Sequence, residues 1–142
     1  MVMTLDTFVA LSASLTGYPA SKLKPDLDTQ KVAELFYDTL IGQAGPTPLA
    51  ALNDAFLAIS DPTDHESIKN KIFDNPETMT LAKIIIRMWY TGVWYYCNDP
   101  QDGFVVSSKG YINGLVWGTM FAHPMGYSVS HFGYWNEAPT TK

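Results

Sequence analysis

A single cysteine, Cys97, excludes an internal disulfide and any cysteine-built zinc site. What is left for it is the role of a small hydrophobe or, in an oxidising compartment, an inter-chain disulfide. Positive charge is also sparse. Nine Lys and Arg stand against 14 Asp and Glu, a formal net charge of −5, and Lys69 with Lys71 is the densest basic spot. Nucleic-acid binding and a basic membrane-surface helix both need clustered cations, so neither is expected. No run of about 18 apolar residues occurs, so no transmembrane segment is expected. The first 17 residues hold an apolar stretch, but Asp6 interrupts it and it has neither a basic n-region nor a twin arginine, so it does not read as a signal peptide.

Chemical signatures are scarce too. His65, His123 and His131 fall in no metal-ligand spacing. His123 and His131 lie in a Pro/Gly-rich tail, where donating hydrogen bonds to carbonyls is the expected role. Ser107, Ser108, Ser128 and Ser130 are not in a Gly-x-Ser-x-Gly elbow, and Cys97 has no histidine placed beside it by sequence. Asp99 and Asp102 flank a turn, where such side chains bond their own backbone. Neither a P-loop nor Gly-x-Gly-x-x-Gly occurs. No catalytic residue, metal or cofactor is therefore expected in this chain.

What is present is a helical grammar followed by an aromatic third. Over 142 residues with 46% apolar content, one domain is expected. Residues 1–88 read as amphipathic helices and residues 89–142 as an aromatic, Gly/Pro-rich segment. Asp6 is expected to cap a helix to Thr16, with Leu5, Phe8, Leu11/Ser12 and Leu15 near one face and Gly17 as its stop. Residues 18–27 read as a loop. Asp28 then caps a helix carrying Val32, Leu35, Phe36 and Leu40, ended by Gly42. Thr47 before Pro48 reads as a cap with proline at the first helical position, followed by a seam of Leu49, Leu52, Phe56 and Ile59. Asp64 starts a short helix with Ile68 and Ile72. Asn75-Pro76-Glu77 opens a helix to about Tyr90 that is apolar on most sides and so is expected at the centre. Trp94-Tyr95-Tyr96 reads as extended, Asn98-Asp99-Pro100 as a turn, and Ser107 or Ser108 as the cap of a last helix through about Met120, presenting Ile112, Leu115, Val116 and Met120. Residues 121–142, with four breakers, read as an irregular tail. The expected fold is all-α: a compact bundle of about five to six helices with an irregular aromatic-rich C-terminal tail.

Residues 89–135 hold 13 of the chain's 19 aromatics and almost no charge. Such a segment must pack on its own helices, cover another protein, or offer rings to a sugar. Trp and Tyr are favoured interface anchors, whereas a sugar platform needs polar groups beside exposed rings, and only Asn136 and Glu137 lie near Trp135. Gly110, Gly114 and Gly118 fall at i, i+4 and i+8. On one helix they would form a stripe costing about 3 kcal/mol against alanine, offset only by close approach of a backbone or of rings. Either the helix over 76–90 or a partner could supply that approach.

The motif order then carries a resemblance. Phe8-x-x-Leu11-Ser12-x-x-Leu15-Thr16-Gly17 is followed by Trp89-Tyr90-Thr91-Gly92, by Val106-Ser107 leading to Tyr111, and by Gly114-Leu115-Val116-Trp117. His123-Pro124, Gly126-Tyr127 and Phe132-Gly133-Tyr134-Trp135 complete it. This order resembles the small subunit of bacterial membrane-bound, FAD-dependent sugar and polyol dehydrogenases, the sorbitol dehydrogenase family with the glucose and fructose dehydrogenase small subunits. The resemblance implies a non-catalytic accessory subunit that binds, stabilises and helps mature a large flavoprotein subunit. FAD would lie in that partner, and a cytochrome c subunit often joins the complex. The implied location is the periplasmic face of the inner membrane if a leader has been removed, and the cytoplasm otherwise, since the family's twin-arginine leader is missing here. The expected packing and interface set is Trp89, Tyr90, Trp94, Tyr111, Gly110, Gly114, Trp117, Gly118, Tyr127, Phe132, Tyr134 and Trp135. The rival readings are a carbohydrate-binding module and a small standalone enzyme using His123 or His131.

Overall fold

A computed structural model describes residues 3–25, 27, 31–95 and 103–121. The chain is mostly helical, as expected, with one small antiparallel pair of strands among the described residues.

Helix α1 spans Leu5–Thr16. Its cap is Thr4 rather than Asp6: the Thr4 hydroxyl accepts from the Thr7 N–H at 3.2 Å, and Asp6 instead sits in the first turn, where its charge suits the helix dipole. Gly17 ends the helix at φ 80°, with its N–H on the Ala13 carbonyl. The segment read as a loop contains a short helix, α2 (Ala20–Leu23), anchored by buried Leu23. Helix α3 spans Val32–Gln43. Its cap position is Lys31, at φ 55° in the left-handed region, and not the expected Asp28, which lies outside the described residues. Gly42 is inside the last turn and does not stop the helix; the chain reverses at Gly45, φ 82°. That reversal moves the next start forward. Helix α4 is Pro46–Leu57, with Pro46 and not Pro48 in the first position, where a missing N–H costs nothing. Its seam is as expected: Leu49, Leu52, Phe56 and Ile59 are all buried.

Helix α5 (His65–Ile68) is capped by Asp64 and widens into a π-turn over Lys69–Phe73 that buries Ile72. The buried Thr78 hydroxyl donates to the Ile72 carbonyl, which satisfies an acceptor that the end of this turn would otherwise leave bare. Helix α6 (Pro76–Thr91) starts at Asn75, whose side chain accepts from the Glu77 N–H at 3.0 Å, and ends at Gly92, φ 74°. It is the central helix, in contact with α1, α3 and α4. Leu81, Ala82, Ile84, Ile85, Met88 and Trp89 fill the core from it, and Lys83 points to solvent.

Strand β1 (Val93–Tyr95) confirms the extended reading of Trp94-Tyr95; Tyr96 and the turn at Asn98-Asp99-Pro100 lie outside the described residues. It pairs antiparallel with β2 (Gly103–Val105), Trp94 opposite Phe104. The single last helix is corrected. Ser107 caps α7 (Ser108–Ile112), accepting from the Gly110 N–H at 3.1 Å, and the chain breaks at Asn113-Gly114 before α8 (Leu115–Thr119). Gly114 takes φ −57° and ψ 138°, an extended conformation outside the helical region. Among the described residues, no helix is long and apolar enough to cross a membrane.

Candidate partner-binding surface

The aromatic segment is built into the fold through α6. Trp89 is 3% exposed; its ring meets the Phe36 ring edge-on at 4.9 Å and 88°, and lies nearly parallel to Phe8 at 6.0 Å. Trp94, also 3% exposed, lies in β1 opposite Phe104 of β2, and β1 packs against α6. These two tryptophans belong to the core, and neither can serve as an interface anchor without unfolding. Tyr90, on the next position of α6, is half-buried and meets Tyr18 edge-on at 6.3 Å. Burial, with a smaller contribution from Tyr18, pushes the Tyr90 hydroxyl above its ordinary pKa. Tyr111 and Trp117 form a half-buried pair, rings 5.4 Å apart at 78°, and the Trp117 indole N–H donates to the Tyr111 carbonyl at 2.8 Å. That bond spans the break between α7 and α8 and holds the two short helices as one unit.

The glycines divide along the same line. Because the helix breaks at Gly114, Gly110, Gly114 and Gly118 do not form one stripe. Gly110 is buried, and a Cβ there would come 2.8 Å from Cε1 of Phe36 on α3. A Cβ on Gly114 would come 2.6 Å from the Tyr90 carbonyl oxygen on α6. Gly92 packs against Gly110 as well: a Cβ there would lie 2.6 Å from the Gly110 carbonyl carbon, closer than any side chain tolerates. The chain's own helices therefore supply the close approach at Gly110 and Gly114. Gly118 is exposed, with nothing within 4 Å of its Cβ position.

This packing leaves outward polar residues, Ser108, Lys109, Asn113 and Thr119, and two large apolar ones. Met120 and Phe121, just after α8, are 52% and 53% exposed. Phe121 adopts φ 55°, in the left-handed region. Its N–H donates to the Gly118 carbonyl at 3.2 Å, and the Met120 N–H to the Val116 carbonyl at 2.9 Å, so the pair closes the helix in the way a terminal glycine usually does. A phenylalanine in that conformation costs about 1 kcal/mol or more relative to glycine. The sequence reads as one longer helix presenting Ile112, Leu115, Val116 and Met120 together; in the separate α8 Leu115 is buried and Met120, at the C-cap, is exposed. Val105 on β2 and Leu57 on α4 are further exposed apolar side chains.

Among the described residues, no three His, Cys, Asp or Glu side chains come together as a metal site would require. His65 is an exposed residue of the short α5. Asp61 has its carboxyl held below the usual range by the Thr63 hydroxyl at 2.7 Å and the Thr63 N–H at 3.0 Å, a turn motif. Cys97, His123, Tyr127, His131, Phe132, Tyr134 and Trp135 lie outside the described residues. No family model, curated protein or solved structure matches the chain.

Proposed function

We propose that this chain is a non-catalytic accessory subunit that binds, stabilises and helps mature the FAD-containing catalytic subunit of a sugar or alcohol dehydrogenase complex. The observation that carries the reading is the Met120–Phe121 pair. Two large apolar side chains are left outward at the end of a tightly packed unit, and one of them sits in a backbone conformation that its own fold would fill better with glycine. Backbone strain concentrates at functional sites, and Phe and Met are enriched at interfaces, so the pair supports a contact with another molecule. The proposed surface is Met120 and Phe121; Tyr127, Phe132, Tyr134 and Trp135, expected in the interface set from the sequence, lie outside the described residues.

The motif order from Phe8 to Trp135 supports the choice of a flavoprotein partner, and the chain's low content of chemical signatures is consistent with FAD and the sugar site lying in that partner. A cytochrome c subunit and a periplasmic location belong to the same reading. Two functions of the quoted motifs become distinct under it. Trp89, Gly92, Gly110 and Gly114 build the scaffold, and Met120 and Phe121 make the contact.

Affinity purification of the tagged chain from its native host tests the proposal. The expected result is a co-eluting larger protein with the absorbance of bound flavin and dye-linked sugar dehydrogenase activity. Turnover of a sugar by the chain alone would defeat the reading in favour of a standalone enzyme. Saturable quenching of tryptophan fluorescence by free sugars, with no flavoprotein recovered, would defeat it in favour of a carbohydrate-binding module.

A further inference from the structure

Helix α8 is five residues long, too short to hold its shape without tertiary contacts. Its start is fixed by Gly114 against the Tyr90 carbonyl and by buried Leu115. Its end is fixed from a different part of the chain. Tyr18, 101 residues earlier, places its hydroxyl 3.1 Å from Oγ1 of Thr119. The direction of that bond follows from a second one: the Thr119 hydroxyl donates its only proton to the Leu115 carbonyl at 2.9 Å. Tyr18 is therefore the donor, and the two bonds form a chain from the tyrosine hydroxyl through Thr119 into the α8 backbone. Each bond in such a chain polarises the next.

Tyr18 is itself held in place. It follows the left-handed cap Gly17, its N–H donates to the Thr16 hydroxyl at 3.3 Å, and its ring rests edge-on against Tyr90. Both ends of α8 thus refer back to one residue. The start abuts the backbone of Tyr90, and the end is tied by a side chain that leans on the ring of Tyr90. Immediately beyond the tie come Met120 and Phe121.

We infer that Tyr18 is a positioning residue: it clasps the end of α8 to the loop after α1 and so sets the direction in which Met120 and Phe121 are presented. The inference rests on the proposed function only for what the pair is presented to. The clasp is a property of the chain alone.

Amide hydrogen exchange followed by NMR on the full chain tests it, comparing Tyr18→Phe, Thr119→Val, the double variant and Thr119→Ser. Loss of one exposed hydrogen bond should speed exchange at the Met120 and Phe121 amides about two- to tenfold in Tyr18→Phe, with the α6 amides unchanged. Thr119→Val should do the same or more. The double variant should exchange no faster than Thr119→Val, and Thr119→Ser, which keeps both bonds, should match the native chain. Unchanged exchange in Tyr18→Phe overturns the clasp. So does acceleration that spreads equally to α6, which would mark a global loss of stability, and so does full additivity of the two single variants. The measurement needs no partner: failure to recover a flavoprotein would remove the dehydrogenase reading and leave the clasp standing, and unchanged exchange would do the reverse.

Discussion

Gly110 lies against the ring of Phe36, so close that a Cβ on the glycine would stand 2.8 Å from Cε1. Phe36 is fully buried and its ring is also the edge-on partner of Trp89, so it has no room to withdraw. Gly110→Ala is expected to destabilise the chain by about 1–3 kcal/mol through overpacking. Gly118→Ala on α8 meets nothing within 4 Å and should be neutral or stabilise by up to about 1 kcal/mol through helix propensity. Urea denaturation of the two variants checks the contrast, and equal effects would disprove the packing assigned to Gly110.

Ser12 presents the opposite problem, a buried hydroxyl with no hydrogen-bond partner among the described residues. Removing it should relieve an uncompensated desolvation and raise helix propensity in α1. Ser12→Ala is expected to leave stability unchanged or raise it by about 0.5–1 kcal/mol. A loss above about 1 kcal/mol in thermal or urea unfolding would show that the hydroxyl is bonded after all.

Tyr90 ties stability to alkaline pH. Its folded pKa is raised, chiefly by burial, so the folded state binds the phenolic proton more tightly than the unfolded state does. The stability this contributes is fully present below the unfolded value, about 10, and is lost as pH rises through the folded value. Tyr90→Phe should flatten the fall in stability above about pH 10. Urea midpoints across the alkaline range give the measurement, and an unaltered slope would contradict the assignment.

Phe121 separates stability from function. Glycine suits φ 55° without strain, so Phe121→Gly is expected to stabilise the isolated chain by about 1 kcal/mol. Under the proposed function the same change removes a half-exposed aromatic contact and should reduce recovery of the flavoprotein. Opposite signs in the two assays are the expected outcome. A stabilised variant with full recovery would place the contact elsewhere.

The long helices were legible wherever a local signal was complete. Asn75-Pro76 at the start of α6 and Gly92 at its end are self-contained, because cap, proline and left-handed glycine act within one turn. Starts were misplaced where two signals competed: Thr4 and Asp6 both suit the head of α1, and Pro46 and Pro48 both suit that of α4. The winner in the second case depends on the reversal at Gly45. The short helix α2 carries no strong period of its own, and strand β2 needed a partner strand before its three residues could read as a strand. In the candidate site, the tryptophans were legible as adhesive but not as inward or outward, since a ring's hydrophobicity is the same in a core and at an interface.

By itself the sequence determined the helical character of residues 1–88 outside the segment 18–27, the central place of α6, the scarcity of charged and nucleophilic groups, and the concentration of rings after position 88. These follow from composition and from periodicities that span a few residues. Only the tertiary structure decided that Gly110 and Gly114 serve the chain's own helices, that Trp89 and Trp94 are core, and that Met120 and Phe121 are left outside. The reason is one of distance along the chain. Phe36 meets Gly110, and Tyr18 meets Thr119, across separations at which no local pattern carries information, and Gly114 has no room for a Cβ because the Tyr90 carbonyl, 24 residues earlier, occupies that space.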